Sequence, residues 1–402
     1  MPEIRIIDDP ANLLAAAAVF RQAMFGLPGG VTPVSEWAER YVVPGRVYGA
    51  WLDGQLVGTS NSFPSELTLP GGQRVPHAAV THVGVLPHVS RRGVLRALFA
   101  RQLADLHQQG VAVASLRASQ GTLYRRFGYG VATAAQNLRI DKRELPALPA
   151  ADGGIRLIVA ADSWEVLQDI VARFPLVRAG SLSRWPQWWA LQQHRLAHSN
   201  LNHYVAVVLR HGEPQGFVRY HARAEENWLY STGRTLVVDD LHAADPQLEA
   251  QLLGFLLQLD IARYVELPHR PVDDALPLLL DNPRAVQQHA LVDESWLRVI
   301  DLEQTLNARR YGDGDAVTLA IDDPWLPANH GVWRLTPDGV QRSASQPDLS
   351  LSIDSLAMLL LGEYTPWQLA AARRINLHHS QAAARLARLL ACHEHPWSGI
   401  FF

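Results

Sequence analysis

Two adjacent arginines and a glycine provide the clearest chemical signal in this sequence. Arg91, Arg92 and Gly93 follow a short stretch, Val83–Pro87, that has the pattern of a strand end, and an amphipathic helix comes next. Backbone N–H groups at a helix start have no partners within the helix, and the helix dipole favours negative charge there. Two fixed positive charges, and a glycine that permits close backbone approach, strengthen such a site. The pattern suits a pyrophosphate, although basic loops before helices are also common without a ligand.

Other phosphate and nucleophile motifs do not match. The turn has no Gly-Lys-Ser/Thr of a Walker loop, and the chain has no dinucleotide glycine fingerprint. A Gly-x-Ser-x-Gly nucleophile elbow is also absent. The phosphate prediction therefore depends on the Arg-Arg-Gly turn and on the residues downstream of its helix.

Residues for the rest of a site are less distinctive when taken alone. Tyr124 is more typical of a core aromatic residue with one satisfied hydroxyl, and an aromatic C-terminus, here Phe401–Phe402, is usually a docked or frayed tail. His82 either lines a pocket or is a hydrogen-bonded strand histidine. Three aromatic residues are candidates for the apolar walls of a pocket, namely Phe25, Trp37 and Trp185. Core packing is the more common role of any one of them taken alone.

A metal site is not predicted. His393, Glu394 and His395 lie beside the single cysteine, Cys392. Alternating residues on a helix do not share a face, and no third ligand has suitable spacing. One cysteine also excludes an internal disulfide, and it is more typical of a small buried apolar residue.

The elements that must position the turn form a strand, a helix and a second strand. Thr81, Val83 and Val85 alternate with His82 and Gly84, which predicts a strand. A helical stripe follows, Gly110 is a natural C-cap, and Val111–Leu116 predicts a buried strand. Asp53-Gly54 between two extended runs predicts a type I′ hairpin just upstream. The apolar stripe of the helix consists of Leu95, Leu98, Phe99, Leu103 and Leu106.

A second unit repeats this order after a linker between Leu145 and Gly154. It has a hairpin around residues 211–214, a strand at Thr235–Leu241 and a helix at Gln247–Leu259. No Arg-Arg-Gly turn follows its strand. Asp239 and Asp240 would instead repel phosphate there. We interpret this unit as a degenerate copy with an architectural role.

A third unit follows a proline-rich segment and begins near Trp296. The 402-residue length fits two or three domains, and the predicted class is α/β (α+β). The formal net charge is −3, from 36 basic and 39 acidic residues. The charge of the whole chain therefore does not favour nucleic-acid binding. Without a signal-peptide pattern or a membrane-length apolar run, we expect a cytoplasmic protein that binds no membrane.

These motifs together resemble those of the GNAT acetyltransferases, and more closely those of the Eis (enhanced intracellular survival) family of multi-acetylating aminoglycoside N-acetyltransferases. The likeness spans the whole chain and includes its end at Phe402. The motifs that carry it are Val83-Gly84-Val85 with Pro87, Arg91-Arg92-Gly93-Val94-Leu95-Arg96, and Ala118-Ser119-Gln120-Gly121 leading to Tyr124-Arg125-Arg126-Phe127-Gly128-Tyr129-Gly130.

The resemblance implies an architecture and a co-substrate. It implies two tandem GNAT-like domains, residues 1–145 and the degenerate 146–290, followed by a sterol-carrier-like domain at residues 291–402. It also implies a homohexamer. Acetyl-CoA would be held by Val83, Gly84, Val85, Arg91, Arg92, Gly93, Val94, Leu95, Arg96, Ser119 and Gln120.

The resemblance further implies roles in acetyl transfer to an amine. The amine must lose a proton, the thioester carbonyl must be polarised, and the CoA thiolate must gain a proton. By position, Tyr124 is the general acid and the α-carboxylate of Phe402 is the general base. The backbone N–H of Val85 is the expected donor to the thioester oxygen. His82 and Phe401 join the aromatic residues named above as substrate-binding candidates.

Three positions depart from the family pattern. Ser90 stands where many GNAT turns carry Arg or Gln, so one phosphate contact is either lost or made by the serine hydroxyl. Leu95 replaces the usual Gly or Ala but suits the Eis branch. Phe401 offers no acidic side chain beside the terminus.

We expect an N-acetyltransferase for aminoglycoside-like polyamines or lysine amines. The alternatives are a lipid- or small-molecule-binding protein with vestigial acetyltransferase domains, and a lysine acetyltransferase for proteins only. The intact Arg-Arg-Gly turn and Tyr124 argue against a vestigial site.

Overall fold

The structure is a computed structural model that describes residues 2–25, 40–145 and 154–402. None of its described helices is both long and apolar enough to cross a bilayer. The α-helices are α1 (Pro10–Ala23), α2 (Val94–Gln108), α3 (Trp164–Arg173), α4 (Pro186–Ala197), α5 (Pro246–Leu257), α6 (Leu302–Ala308), α7 (Ile353–Leu360), α8 (Pro366–Ala371) and α9 (Ala382–Leu389). The strands are β1 (Glu3–Ile6), β2 (Val47–Leu52), β3 (Gln55–Thr68), β4 (Arg74–Val85), β5 (Val113–Leu116), β6 (Gly130–Asp141), β7 (Ile155–Ile158), β8 (His203–Arg210), β9 (Glu213–Ala222), β10 (Thr235–Ala243), β11 (Tyr264–Pro271), β12 (Val286–Val299), β13 (Val317–Asp322), β14 (Gly331–Thr336), β15 (Gly339–Arg342), β16 (Leu349–Ser352) and β17 (Ile375–Leu377).

The chain forms two compact units that do not follow its linear order. Unit 1 combines Met1–Thr133, Val177–Leu191 and Asp293–Phe402, and unit 2 combines Ala134–Leu176 with Gln192–Val292. Unit 1 therefore contains both the Arg-Arg-Gly turn and the C-terminus. The linear boundaries expected at residues 145 and 290 stay a prediction, and most of the expected linker lies outside the described residues.

The N-terminal sheet of unit 1 confirms the predicted strand, helix and strand. Its order is β1–β2–β3–β4–β5, and the end of β12 pairs with the far edge of β5. Strands β4 and β5 are parallel, with described pairs from His77↔Val113 to Ala79↔Ser115. Strand β4 continues beyond these pairs to Val85. The far part of β4 therefore extends past its described pairs with β5.

The helix that follows the Arg-Arg-Gly turn is held on one face. The side chains of Leu98, Phe99, Leu103 and Leu106 are buried, as the stripe predicts. Gly93 is its N-cap with φ of +81°, and Gly110 beyond its C-terminus has φ of +71°. Both values lie in the left-handed region, which glycine adopts at little cost. The helix therefore begins directly at the turn that the sequence identifies.

A β-bulge interrupts the simple alternation predicted for residues 81–85. Thr59 pairs with Gly84 and Asn61 pairs with Thr81, so Ser60 lies opposite both His82 and Val83. His82 has φ of +51°. A bulge adds one residue to one strand and changes the direction of the side chains after it. Periodicity alone could not detect that extra residue.

The C-terminal part of unit 1 has its own sheet, with the order β15–β14–β13–β16–β17. A buried ion pair connects this part to the N-terminal sheet. Arg298 on β12 donates from Nη2 to both carboxylate oxygens of Asp323 at 2.8 Å, and both side chains are fully buried. Asn329 Nδ2 donates to the same carboxylate at 2.9 Å. These contacts attach the C-terminal sheet to the strand that completes the N-terminal one.

Unit 2 contains the predicted hairpin, strand and helix as β8, β9, β10 and α5. Its sheet has the order β6–β11–β10–β9–β8–β7. Helix α5 packs its leucines into the core of the unit, with Leu252, Leu256 and Leu257 fully buried. The hairpin–strand–helix order of unit 1 is thus repeated, as expected.

The proline-rich segment is partly a strand. Strand β11 includes Pro268 and Pro271, and pairs with β6 and β10. Its register with β6 shifts between Leu267 and Arg270. Pro268 lies within this register shift, where the pairing with β6 requires no backbone N–H donor from β11. The sequence prediction missed β6.

Candidate active site

The predicted phosphate turn is exposed and lies directly before α2. After β4, a short 3-10 turn at Pro87–Val89 leads to Ser90 and the two arginines, all exposed. Arg91 has φ of +64°, an uncommon value for a residue with a side chain. Gly93 has no side chain, so no side-chain hydrogen bond caps α2. The first N–H groups of α2 therefore face the turn without such a cap.

The other residues predicted to bind the co-substrate differ in how far their side chains are exposed. Val94 is buried, so its side chain serves the core and its backbone is what a ligand could reach. Leu95 is half-buried, whereas Ser119 and Gln120 are exposed on the segment after β5. The guanidinium of Arg96 lies 5.4 Å from the ring centre of Trp325, which orients it.

The strand residues Val83, Gly84 and Val85 form the end of β4. Val83 and Val85 are half-buried, and Gly84 is buried. A Cβ at Gly84 would lie 2.9 Å from the Cβ of Ala23 and 3.1 Å from the Cα of Phe20. Gly84 thus also lets α1 pack closely against β4, a role that the motif does not reveal.

Tyr124 is a core residue and lies at the far end of the segment after β5. It is 4% exposed and packs edge-on against Phe99 and Tyr129, at centroid distances of 6.0 and 6.2 Å. Burial raises the pKa of Tyr124 to about 12, although a hydrogen bond with Ser119 opposes this shift. The phenol is therefore protonated at neutral pH, which a general acid requires.

The C-terminal tail is held by backbone hydrogen bonds within unit 1. Leu182 N–H donates to the carbonyl of Ser398 at 3.1 Å, and Trp397 N–H donates to the carbonyl of Ala179 at 2.8 Å. The same segment, residues 180–183, exchanges backbone hydrogen bonds with Glu66 and Thr68 on β3. The tail is therefore attached to the N-terminal sheet through this intervening segment.

Arg117, directly after β5, also holds the tail. Its Nη2 donates to Ser398 Oγ at 2.7 Å, to the carbonyl of Ile400, and to Glu294 Oε1 at 3.3 Å. Glu294 is buried and also accepts from Ser398 N–H at 3.1 Å and from Ser398 Oγ at 2.7 Å. We call Arg117, Glu294 and Ser398 the tail clamp. Sequence reasoning missed it, because its members lie far apart in the chain and match no motif.

Aromatic contacts fix the last two residues. The ring of Phe402 lies edge-on to Trp185 at 5.6 Å, and Trp185 stacks on Phe63 at 5.7 Å. Trp188 Nε1 donates to the carbonyl of Phe401 at 2.9 Å. The guanidinium of Arg117 lies 5.2 Å from the ring centre of Phe401 and 5.5 Å from that of Phe402. The tail is docked rather than frayed.

The structure separates the remaining substrate candidates. Trp185 contacts Phe402 as described, and Phe401 is half-exposed beside Arg117. His82 lies on the bulge of β4 and packs edge-on against Phe20 at 4.7 Å. Phe25 is fully exposed and so is not a buried pocket wall in this structure. Trp37 lies outside the described residues.

Ser119 and Arg117 bring the two predicted catalytic residues to one segment. Arg117 holds the tail that ends at Phe402, and Ser119, two positions later, hydrogen-bonds Tyr124. Tyr124 and the terminal residue thus both contact the same stretch after β5.

Cys392 and its neighbours do not form the helix assumed in the sequence analysis. They follow α9 in an irregular segment, so the argument from helix faces does not apply to His393 and His395. Cys392 is half-buried, not fully buried, and Arg309 Nη2 donates to its sulfur at 3.4 Å. Burial raises the pKa of this thiol.

Known protein families match the chain in three consecutive ranges. Residues 12–132 and residues 180–299 each match a family described as an acetyltransferase (GNAT) domain. Residues 302–399 match the sterol carrier protein domain. The predicted GNAT, GNAT-like and sterol-carrier-like order is confirmed.

Relatives of similar length match almost the whole chain. An uncharacterized N-acetyltransferase of Streptomyces coelicolor is 34% identical, with 92% of this chain and 93% of the relative covered. The N-acetyltransferase Eis of Mycobacterium tuberculosis is 29% identical, with 94% and 93% covered. The crystal structure of Eis1 from Mycobacterium abscessus superimposes with a TM-score of 0.91 at 39% identity, with both chains fully covered.

Proposed function

Because this chain belongs to the Eis family of GNAT acetyltransferases and is an acetyl-CoA-dependent N-acetyltransferase, we propose that it acetylates primary amines of aminoglycoside-like polyamines or of lysine. Relatives named as N-acetyltransferases match 92% and 94% of the chain, which favours an enzyme over a lipid-binding protein with vestigial domains. We further propose that the enzyme is a homohexamer, as the family likeness implies.

The observation that carries this proposal is the docking of the C-terminal tail. Backbone bonds to residues 179–182, the tail clamp and the ring of Trp185 all restrain residues 397–402. A catalytic group must be held in a defined place to be effective. A terminal carboxylate so restrained can serve as a base, which a mobile tail could not do.

In the proposed mechanism, the turn before α2 binds the pyrophosphate of acetyl-CoA. The N–H groups at the start of α2 and the exposed guanidinium groups of Arg91 and Arg92 supply the positive field. The N–H of Val85 polarises the thioester carbonyl at the end of β4. The thioester then lies where β4 extends beyond its described pairs with β5.

The amine attacks the thioester carbon after losing a proton to the Phe402 carboxylate through water. A new C–N bond forms, and the C–S bond of the tetrahedral intermediate breaks. Tyr124 donates its phenolic proton to the departing CoA sulfur. A terminal carboxylate ordinarily has a pKa near 3.5, so it is negatively charged at neutral pH. It therefore also attracts the cationic amine before the transfer.

Three measurements test the proposed function. Acetyl-CoA is titrated into the protein by calorimetry, and free thiol is then followed with a panel of polyamines and lysine peptides. Mass spectrometry of the products counts the acetyl groups added to each amine. Acetylation of an aminoglycoside or a lysine peptide supports the proposal. Acetyl-CoA binding without turnover on either class contradicts the proposed substrates.

A further inference from the structure

Three side chains on neighbouring strands of unit 2 converge on one point. The Nδ1 atom of His203 lies 2.9 Å from Oδ2 of Asp239, and the Nδ1 atom of His221 lies 2.9 Å from Oδ1 of the same carboxylate. The potential ligand atoms of the three residues all lie within 4.8 Å of one another. Their side chains are 16%, 16% and 19% exposed, respectively. We call these residues the His-Asp-His cluster.

We propose that the His-Asp-His cluster binds a divalent transition-metal ion, with zinc as the best fit. Two imidazole nitrogens and one carboxylate oxygen are ligands that zinc accepts, and three protein ligands leave a fourth position for water. Hard cations such as magnesium and calcium prefer oxygen ligands throughout. The proposal departs from the sequence prediction of no metal, and it does not depend on the proposed acetyltransferase substrates.

The dimensions of the cluster suit such an ion. Metal–ligand distances of about 2.0–2.2 Å in a tetrahedral zinc site place neighbouring ligand atoms about 3.3–3.6 Å apart. The two nitrogen–oxygen distances of 2.9 Å are only slightly shorter than this. Small rotations of the side chains would therefore open the cluster around an ion, without movement of the strands.

The backbone places the three residues independently of any ligand. His203 on β8 and His221 on β9 are directly paired across the two strands. Asp239 is the extra residue of a bulge in β10, because Val238 pairs with Tyr220 and Asp240 with Arg219. The bulge directs the Asp239 carboxylate toward both imidazoles. Such a set cannot be recognised by sequence spacing, since its members lie on three strands.

A serine hydroxyl orients one of the imidazoles from behind. Ser199 Oγ lies 2.8 Å from His203 Nε2 and accepts the N–H of Leu201 at 3.1 Å. The hydroxyl can donate to Nε2 in the free protein, which leaves the Nδ1 proton for Asp239. With a metal on Nδ1, the proton of a neutral imidazole resides on Nε2, and the serine oxygen accepts it. Partners of this kind are typical of metal-binding histidines.

A neighbouring cation limits how tightly the cluster can bind. Arg219 lies on β9 beside the bulge and interacts electrostatically with Asp239. Its guanidinium lies 5.2 Å from the ring centre of Trp164, and its Nη2 donates to Gln192 Oε1 at 3.3 Å. These contacts hold Arg219 at a fixed place near the site. We therefore expect a site weaker than the structural zinc sites of small metal-dependent domains.

The test is zinc binding by the full-length, tag-free protein after chelator treatment and desalting. Zinc is titrated in competition with a chromophoric chelator, and Tm is measured with and without zinc. We expect about one equivalent of bound zinc together with a rise in Tm, because a ligand of the folded state stabilises it. Cobalt should bind the same site and give the absorption bands of a tetrahedral nitrogen–oxygen site.

Variants assign the binding to the cluster. His221→Gln and Asp239→Asn should each weaken this equivalent at least about tenfold and abolish the zinc-induced rise in Tm. His221→Cys should retain binding, because a thiolate also ligates zinc. His289→Gln changes an exposed histidine of the same unit outside the cluster and should bind zinc as the wild type does.

The zinc binding of these variants distinguishes a site at the cluster from zinc bound elsewhere. Loss in His221→Gln with retention in both His221→Cys and His289→Gln supports the site, and retention in His221→Cys also shows that the strands remain folded. Zinc uptake by wild type that is unchanged in Asp239→Asn and in His221→Gln would overturn the proposal, since the ion would then bind elsewhere. An absence of any zinc-dependent rise in the Tm of wild type, with no bound equivalent, would overturn it as well.

Discussion

Arg117 Nη2 donates a hydrogen bond of 2.7 Å to the hydroxyl of Ser398, which lies 281 positions later in the chain. This contact connects the segment after β5 with the tail that ends at Phe402. Tyr124 lies on that same segment, and its hydroxyl hydrogen-bonds Ser119. One arginine therefore positions the terminal residue relative to the strand that leads to the proposed acid.

Tyr124→Phe should lower kcat by a factor of about 100 or more, because general-acid catalysis typically contributes about 10²–10⁴-fold. The affinity for acetyl-CoA should be nearly unchanged, since the ring and its packing remain. Steady-state kinetics and calorimetry measure the two effects. Tyr129→Phe is the matched control, because Tyr129 is a fully buried neighbouring tyrosine with no proposed proton to transfer. Equal turnover in wild type and Tyr124→Phe would remove Tyr124 as the acid.

Adding two residues after Phe402 should lower kcat at least about tenfold, because it moves the carboxylate away from its docked position. Phe402→Leu keeps the α-carboxylate at the same chain position and should retain more activity than the extended chain. The comparison separates the carboxylate from the aromatic ring. Full activity of a folded, extended chain would exclude the terminal base.

Arg117→Lys should lower kcat about tenfold while leaving the acetyl-CoA dissociation constant within about twofold. Lysine keeps the charge but has no planar fork to bind Ser398, Ile400 and Glu294 together. The measurement is kcat against acetyl-CoA affinity, together with Tm. A fall in Tm with no change in kcat of the folded fraction would make Arg117 purely structural.

Gly93→Ala should weaken acetyl-CoA binding, because a residue with a Cβ disfavours φ of +81° at the start of α2. Gly110→Ala is a close control. Gly110 has φ of +71° at the other end of the same helix, and a Cβ built at either position meets no atom of residues farther along the chain within 4 Å. Both variants should lose about 1 kcal/mol of stability. If both bind acetyl-CoA equally well, the turn does not hold the cofactor.

High pH should destabilise the fold through Tyr124. Burial raises its pKa to about 12, compared with about 10 in the unfolded chain, so the folded state retains the proton longer. The free energy of unfolding is unaffected by this group below pH 10, falls as the pH rises from 10 to 12, and then levels off. Urea unfolding at pH 9 and pH 11 should show a smaller loss for Tyr124→Phe than for wild type. An equal loss in both would assign the effect to other groups.

Local patterns predicted helix α2 and the position of the turn before it. The stripe from Leu95 to Leu106 depends only on helical periodicity, and Gly93 and Gly110 mark the helix ends by backbone geometry. The tail clamp could not be predicted from the sequence, because it depends on chain segments that meet only after folding. The bulges at His82 and Asp239 were missed because one extra residue alters pairing without altering composition.

The pairing of β5 also has a consequence for synthesis. β5 lies between β4 and the end of β12, where Trp296 pairs with Leu116 and Val299 with Val113. During translation, β5 leaves the ribosome long before β12, and its edge toward β12 stays open and apolar meanwhile. Unpaired edges of this kind promote association between chains. A fragment that stops at residue 145 retains that edge permanently, so chaperone supply and growth temperature should govern the yield of such a fragment more than that of the full chain.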